Sequence, residues 1–241
     1  MSTFLELVQE VARKSGASGS VPSSVVSQSG RNLKIVNFTA DAYVTIQQYH
    51  RNWKWMRKRY TGTLVPGRAN YPGAYFSKYV NGAAAGTIDD FGRFAEDGVK
   101  RKYYPHTLYD STIGVSDERL VRQIPYDLWV TRYFRGQQDT SKPTEYAISD
   151  EGEICYGRKP DAAYVVNGEY WQSAIRLVNN TDTPSMPSDH HTIIVDQALV
   201  FLHDHDEAWG KKAEAEADVK RRLFYLENDQ LPAIIMAGPL A

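Results

Sequence analysis

Imidazole and carboxylate groups crowd into one stretch, DHHTIIVDQALVFLHDHDE, residues 189–207. At helical spacing such groups can chelate a single metal ion, which takes three or four protein donors. The spacing here works against it. His191 and His205 share a helix face but lie four turns apart, about 21 Å at the rise of an α-helix. His203 and Glu207, one turn apart, give two ligands and lie off the apolar stripe, so no metal is expected and these side chains read as polar positions near a helix end. Cys155 is the single cysteine. It has no cationic neighbour before Arg158, so it reads as a buried structural thiol and not as a nucleophile, and it leaves no CxxC pair. GxGxxG, GxxxxGK[ST] and GxSxG are all absent, which removes support for nucleotide or serine-hydrolase chemistry. The carboxylate pairs Asp89–Asp90 and Asp204–Asp206 lack the apolar surroundings that would raise a pKa. No catalytic residue and no cofactor is expected.

A different chemistry is suggested by HRNWKWMRKRY, residues 50–60, which sets two tryptophans and a tyrosine among six cationic or potentially cationic side chains. Bases stack on aromatic rings while Lys and Arg follow phosphates, so the composition suits single-stranded nucleic acid. The bland alternative is a solvated helix end, where cations also complement the C-terminal dipole. The chain as a whole carries 28 Lys+Arg against 29 Asp+Glu, so any attraction to nucleic acid must come from local patches such as this one. Taking 100° per residue, Trp53 falls on the buried stripe of a helix and Trp55 on the opposite side, beside Arg51, Lys58 and Arg59. An outward tryptophan among arginines is a composition favoured at protein interfaces.

These residues need elements to position them. Thr3 and Glu6 form a capping box opening a helix over 3–15, with Phe4, Leu7, Val8 and Val11 on one face. SGASGSVPSSVVSQSG (15–30) reads as a linker or extended arm, long enough to cross to another subunit. A seven-residue recurrence of Ile35, Ala42, Tyr49 and Met56 predicts a long amphipathic helix over roughly 31–57. From 60 to 186 short Tyr/Val/Thr-rich runs alternate with Pro and Gly. TLVPGRANY reads as strand, turn, strand, and TEYAISDEGEICYG as a hairpin about Asp150-Glu151-Gly152, with AAYVVNGEYWQ as a third strand beside it. PYDLWVTRYF reads as a short helix between strands. Ser188 is expected to cap a helix bearing Ile194, Val195, Ala198, Phe201 and Leu202, and a second helix follows with Ala215, Val219, Leu223 and Leu226 on one side. The end, QLPAIIMAGPLA, is apolar and holds two prolines, which forbids a long helix and suggests docking on a partner. With 42% hydrophobic and 12% aromatic residues the chain can build a sizeable core. It has no run long enough to span a bilayer, and its start, MSTFLELVQEV, lacks the basic flank of a signal peptide.

Several stretches, in this order, resemble the head–tail adaptor (connector) proteins of tailed bacteriophages, which form a ring beneath the portal. They are FLELVQEVARKSG, GRNLKIVNFTADAYVTIQ followed by RNWKWMR, IPYDLWVTRYFRG, PTEYAISDEGEICYGRKPDAAYVVNGEYW, TPSMPSDHHTIIVDQAL followed by HDEA, and LENDQLP. The resemblance covers most of the chain and is weakest over 62–105. It implies an α+β protein: an antiparallel helical bundle from 1–59 and 187–229, a β-rich insertion over 60–186, and an extended docking tail, 230–241. It implies a homo-oligomeric ring, dodecameric by expectation, that binds the portal protein above and a tail tube, nozzle or further connector below, in the virion after assembly in the host cytoplasm. Double-stranded DNA would pass through the channel without sequence-specific binding during ejection, and no membrane is involved. Interface roles are expected for Trp55, Arg51, Lys58 and Arg59, and for Leu231, Ile234, Ile235 and Met236 in the tail. A nucleic-acid-binding module built on 50–60 is the alternative, and a metal hydrolase on the His/Asp helix a more distant one.

Overall fold

The computed structural model of the protein describes residues 2–16, 21–96, 105–136 and 138–231. Its helices are α1 (Phe4–Lys14), α2 (Gly30–Tyr49), α3 (Tyr126–Trp129), α4 (Thr192–His205) and α5 (Trp209–Gln230). Its strands are β1 (Arg57–Thr63), β2 (Asn70–Tyr71), β3 (Ser77–Val80), β4 (Ala83–Thr87), β5 (Phe91–Phe94), β6 (Thr107–Asp110), β7 (Arg119–Leu120), β8 (Arg122–Gln123), β9 (Glu145–Ile148), β10 (Ile154–Tyr156) and β11 (Tyr164–Gln172). The architecture is mixed α+β, with five helices and two sheets among the described residues. Two compact units result, one from the described residues of 1–56 and 174–241, the other from 57–173.

In the first unit α1 begins at the capping box expected from sequence. The Thr3 hydroxyl accepts from the Glu6 N–H at 3.3 Å, and the Glu6 carboxylate accepts from the Thr3 N–H at 2.8 Å, satisfying two N–H groups that a helix start leaves unpaired. Helix α4 packs against α1, α2 and α5, and it is accordingly apolar nearly all round, burying Ile193, Ile194, Val195, Ala198, Leu199 and Leu202. Each of these Ile, Val and Leu side chains contributes about 1.5–3 kcal/mol on full burial. Asp196, Gln197 and His203 are buried polar residues of the same helix, and Asp196 is the charged carboxylate among them. Its carboxylate, 6% exposed, pairs with Lys14 of α1 at 3.5 Å and with Arg222 of α5, so one acid ties three helices together.

Helix α2 ends at Tyr49, several residues before its apolar period runs out, because His50 turns to extended backbone (φ −136°, ψ 138°). The chain folds back instead of continuing. The Trp53 indole N–H donates to the Ile46 carbonyl at 3.1 Å, capping the last turn. The buried Gln47 amide exchanges bonds of 2.9 and 3.0 Å with the Ile175 backbone. Segment 21–29, read from sequence as a linker or arm, packs within its own unit: the Val25 N–H donates to Asn180 Oδ1 at 2.7 Å, and Gln9 Nε2 donates to the Pro22 carbonyl at 3.0 Å. Ser188 does not cap α4; it opens a single tight turn, Ser188–His190, that leads into the helix.

The second unit holds both sheets. The larger runs β4-β3-β1-β11-β6-β7, with β5 also paired to β11. Strand β11 organises it: buried and half-buried residues alternate along all nine positions, so Tyr164, Val166, Gly168, Tyr170 and Gln172 are buried on one face and the four between them lie on the other. The smaller sheet runs β2-β10-β9-β8. Strands β9 and β10 are the hairpin expected about Gly152, in register Ile154↔Ile148 and Tyr156↔Tyr146. Two sequence expectations fail here. Strand β11 does not join that hairpin but pairs along its length with β1, and the strands on either side of VPGRA belong to different sheets.

The core of this unit is aromatic, with Tyr60, Tyr71, Phe76, Phe94, Tyr146, Tyr156 and Tyr170 all packed together. Within it lies a fully buried histidine, His106. The Tyr60 hydroxyl sits 2.6 Å from His106 Nδ1, and His106 Nε2 lies 3.0 Å from the Ala95 carbonyl. Each nitrogen therefore has one partner in the neutral tautomer with hydrogen on Nε2. Burial lowers its pKa to about 4, against a smaller opposing effect of the Ala95 carbonyl. Gly168 makes the room: a Cβ there would stand 2.5 Å from His106 Nδ1 and 2.5 Å from the Tyr60 ring.

Candidate interface

The basic and aromatic segment 50–60 is divided between three local structures. Residues 50–53 turn away from α2, Lys54–Met56 form one turn of 3-10 helix, and Arg57 onward is β1. Trp55 does not face outward. It is 8% exposed and stacks on Trp53, ring centroids 4.5 Å apart at 20°, with His50 edge-on to Trp53 at 4.9 Å. The sequence reading put it outside because it continued the helical angle past Tyr49, where the helix has already stopped. The Trp55 indole N–H is buried without a hydrogen-bond partner among the described residues.

The cations of the segment have separate tasks. His50 Nε2 lies 2.6 Å from Glu227 Oε1, and Lys54 Nζ donates to the Asp229 carbonyl at 2.6 Å. His190 Nε2 adds a contact of 3.2 Å to Asp229 Oδ2. Three side chains thus hold the last turn of α5, where cations meet exposed helix carbonyls favourably. Arg51 is exposed on the same unit. Lys58 and Arg59 are neighbours on β1, so their side chains leave opposite faces of the sheet. Burial lowers the Lys58 pKa, with Asp90 opposing. Arg59 is exposed, 3.8 Å from Glu169, which also receives Arg57 at 3.0 Å. Burial raises the Glu169 pKa and the two arginines pull it back. Trp55 is therefore buried and not outward as expected, and Lys58 and Arg59 belong to the β-rich unit.

Leu231 is half-buried and its N–H closes the end of α5 on the Glu227 carbonyl at 2.9 Å. Ile234, Ile235 and Met236 lie outside the described residues. The histidine-rich helix uses its imidazoles locally: His205 contacts Lys34 Nζ at 2.9 Å and Asp206 at 3.0 Å, while His191 Nε2 lies 3.1 Å from the Met186 carbonyl. No group of three or more potential metal ligands occurs among the described residues. Cys155 is buried, and burial pushes its thiol pKa up to about 11, which suppresses thiolate chemistry.

Sequence reasoning missed the largest exposed aromatics: Phe224 and Tyr225, 60% and 59% exposed on α5, Trp209 at its start, and Phe134. The run RRLFYLEN carried the signal. A helix packing one stripe cannot bury four consecutive large side chains, and the structure buries Leu226 while leaving Phe224 and Tyr225 out.

A family model described as SU10 adaptor protein matches residues 2–233, nearly the whole chain. The chain belongs to that family. It is a tailed-phage head–tail adaptor, a structural protein of the virion and not an enzyme. Membership implies assembly of this adaptor with portal and tail components. No curated protein matches the adaptor's sequence, and no described helix is long and apolar enough to cross a membrane.

Proposed function

We propose that this adaptor docks on the portal ring, extends the DNA channel and presents the surface to which the tail attaches. The family match over residues 2–233 carries the reading. In it, the helical unit is an antiparallel bundle interrupted by the β-rich insertion, twelve subunits form the ring, and the site of action is the head–tail interface. The near balance of 28 basic and 29 acidic residues supports a channel that DNA passes without sticking, since phosphate binding grows with the number of cations presented. Residues 230–241, with Leu231, Ile234, Ile235 and Met236, are the segment proposed to order on the portal, coupling folding to binding. Arg51, Lys58 and Arg59 are proposed to contact neighbouring proteins, with Trp55 acting behind them as support. Trp55→Ala would empty a buried ring stack at a cost of about 3–5 kcal/mol, so it reports on folding more than on docking. The nucleic-acid reading loses its stacking platform with the burial of both tryptophans.

The deciding experiment is size-exclusion chromatography with light scattering on the pure protein, alone and mixed with the portal ring encoded in the same genome. Comigration in many copies per ring is the expected result. Failure to comigrate under conditions where both proteins are folded sinks the portal-docking reading.

A further inference from the structure

On the smaller sheet a cleft of about 500 Å³ opens beside the segment 126–134. One wall is aromatic. Trp129 is anchored by its indole N–H on the Tyr156 carbonyl at 2.9 Å, and Tyr133 by its hydroxyl on Glu145 Oε2 at 2.8 Å, while Phe134 is left 65% exposed at the mouth. Val130–Phe134 form a turn wider than an α-helix, an irregularity that re-aims side chains and recurs at functional sites. Gly157 lets the Tyr133 ring lie against the strand: a Cβ there would stand 3.0 Å from the ring and 3.3 Å from the Glu145 carbonyl.

The other side of the cleft is cationic. The Arg68 guanidinium lies over the rings of Tyr71 and Tyr75, at 4.9 and 5.0 Å, and Nε donates to the Asn70 carbonyl at 2.8 Å. That stacking holds it in place without neutralising it, because no carboxylate pairs with it among the described residues. Lys159 is exposed and likewise has no ion pair among them. Glu153 is the one acid among the described residues of the lining, which thus holds two cations and one carboxylate beside its aromatic side chains.

We propose that this cleft is a docking pocket for a short acidic segment of another protein, with an aliphatic or aromatic side chain against Phe134 and Tyr133 and a carboxylate on Arg68 and Lys159. Charge complementarity selects an acid, and a guanidinium fixed by stacking is pre-organised to receive one. A nucleic-acid strand is disfavoured. Its phosphates repeat along a track, whereas here two cations line a single cleft that also holds Glu153. The inference concerns the β-rich unit alone and does not rest on the portal-docking reading.

The test is a titration of the intact protein with the acetylated, amidated pentapeptide Gly-Leu-Asp-Glu-Gly, followed by amide NMR shifts of Gly67, Phe134 and Gly157. The neutral Gly-Leu-Asn-Gln-Gly and an oligothymidylate serve as comparison probes. Saturable shifts confined to the cleft are expected for the acidic peptide, weakening roughly tenfold in Lys159→Gln and in about 0.5 M NaCl. Arg68→Gln should weaken it further, and Phe134→Ser should weaken acidic and neutral peptides alike. Lys159 and Phe134 are exposed, so these variants keep the fold. No saturable shift, equal binding of the neutral peptide, or indifference to Lys159→Gln would overturn the proposal, as would occupation of the cleft by the oligonucleotide in preference to the peptide.

Discussion

His106 shows how one side chain sets a condition on the whole β-rich unit. Its imidazole is fully buried with its pKa lowered to about 4, while in an unfolded chain it titrates near the ordinary histidine value of about 6.5. The neutral form is the folded form. Stability from this group is therefore complete above about pH 6.5 and declines as pH falls toward 4, because the unfolded state takes up the proton first. The expected loss across that window is about 3 kcal/mol, read as a fall in the urea midpoint between pH 7 and pH 4.5. In His106→Gln the slope of stability against pH over the same window should flatten, at a lower absolute stability. An unchanged slope would mean that His106 is protonated in the folded protein.

At the scale of elements, Asp196 is where three helices meet, and its loss should be felt by all of them. Asp196→Ala removes an acid that is 6% exposed and leaves Lys14 and Arg222 without it. Both cations are more than a third exposed, so water recovers part of the loss, and a cost of about 1–3 kcal/mol is expected as a lowered thermal midpoint. Asp196→Asn should cost less by keeping one hydrogen bond. The elements themselves were unevenly legible in the sequence. Helix α1 announced itself through Thr3 and Glu6, and the β9–β10 hairpin through Gly152 between alternating runs, because in both the decisive contacts lie within a few residues. Strand β1 did not. RKRYTGT turns only Tyr60 fully into the core, and its strand identity comes from β11, more than a hundred residues away. Helix α2 was read too long for a related reason: Trp53 and Met56 are buried and in phase with the helix, but they reach the core by folding back, through the bond from Trp53 to Ile46. That error moved Trp55 to the wrong side and, with it, part of the expected interface. The cleft beside Phe134 was invisible because its two walls, Arg68 and Trp129 among them, are joined only by the sheet.

For the molecule as a whole, the proposed docking segment supplies the sharpest prediction. A variant ending at Leu231 keeps every described helix and should still fold, read as a cooperative thermal transition. It should nevertheless fail to comigrate with the portal ring. Retained comigration would move portal recognition to the body of the adaptor, where Trp209, Phe224 and Tyr225 are large exposed aromatics of α5.

The clamp on the last turn of α5, made by His50, Lys54 and His190, gives that segment a fixed point of departure. Ten residues follow Leu231, and at full extension a chain of that length reaches at most about 35 Å. Any surface that residues 232–241 engage must then lie inside that radius. A tether so short holds its sequence at an effective concentration on the order of millimolar around the anchor. Weak grips by individual tails would then add up to a firm seat once the first subunit is placed. Fraying the clamp, and so lengthening the tether, would dilute that advantage without touching a single docking residue.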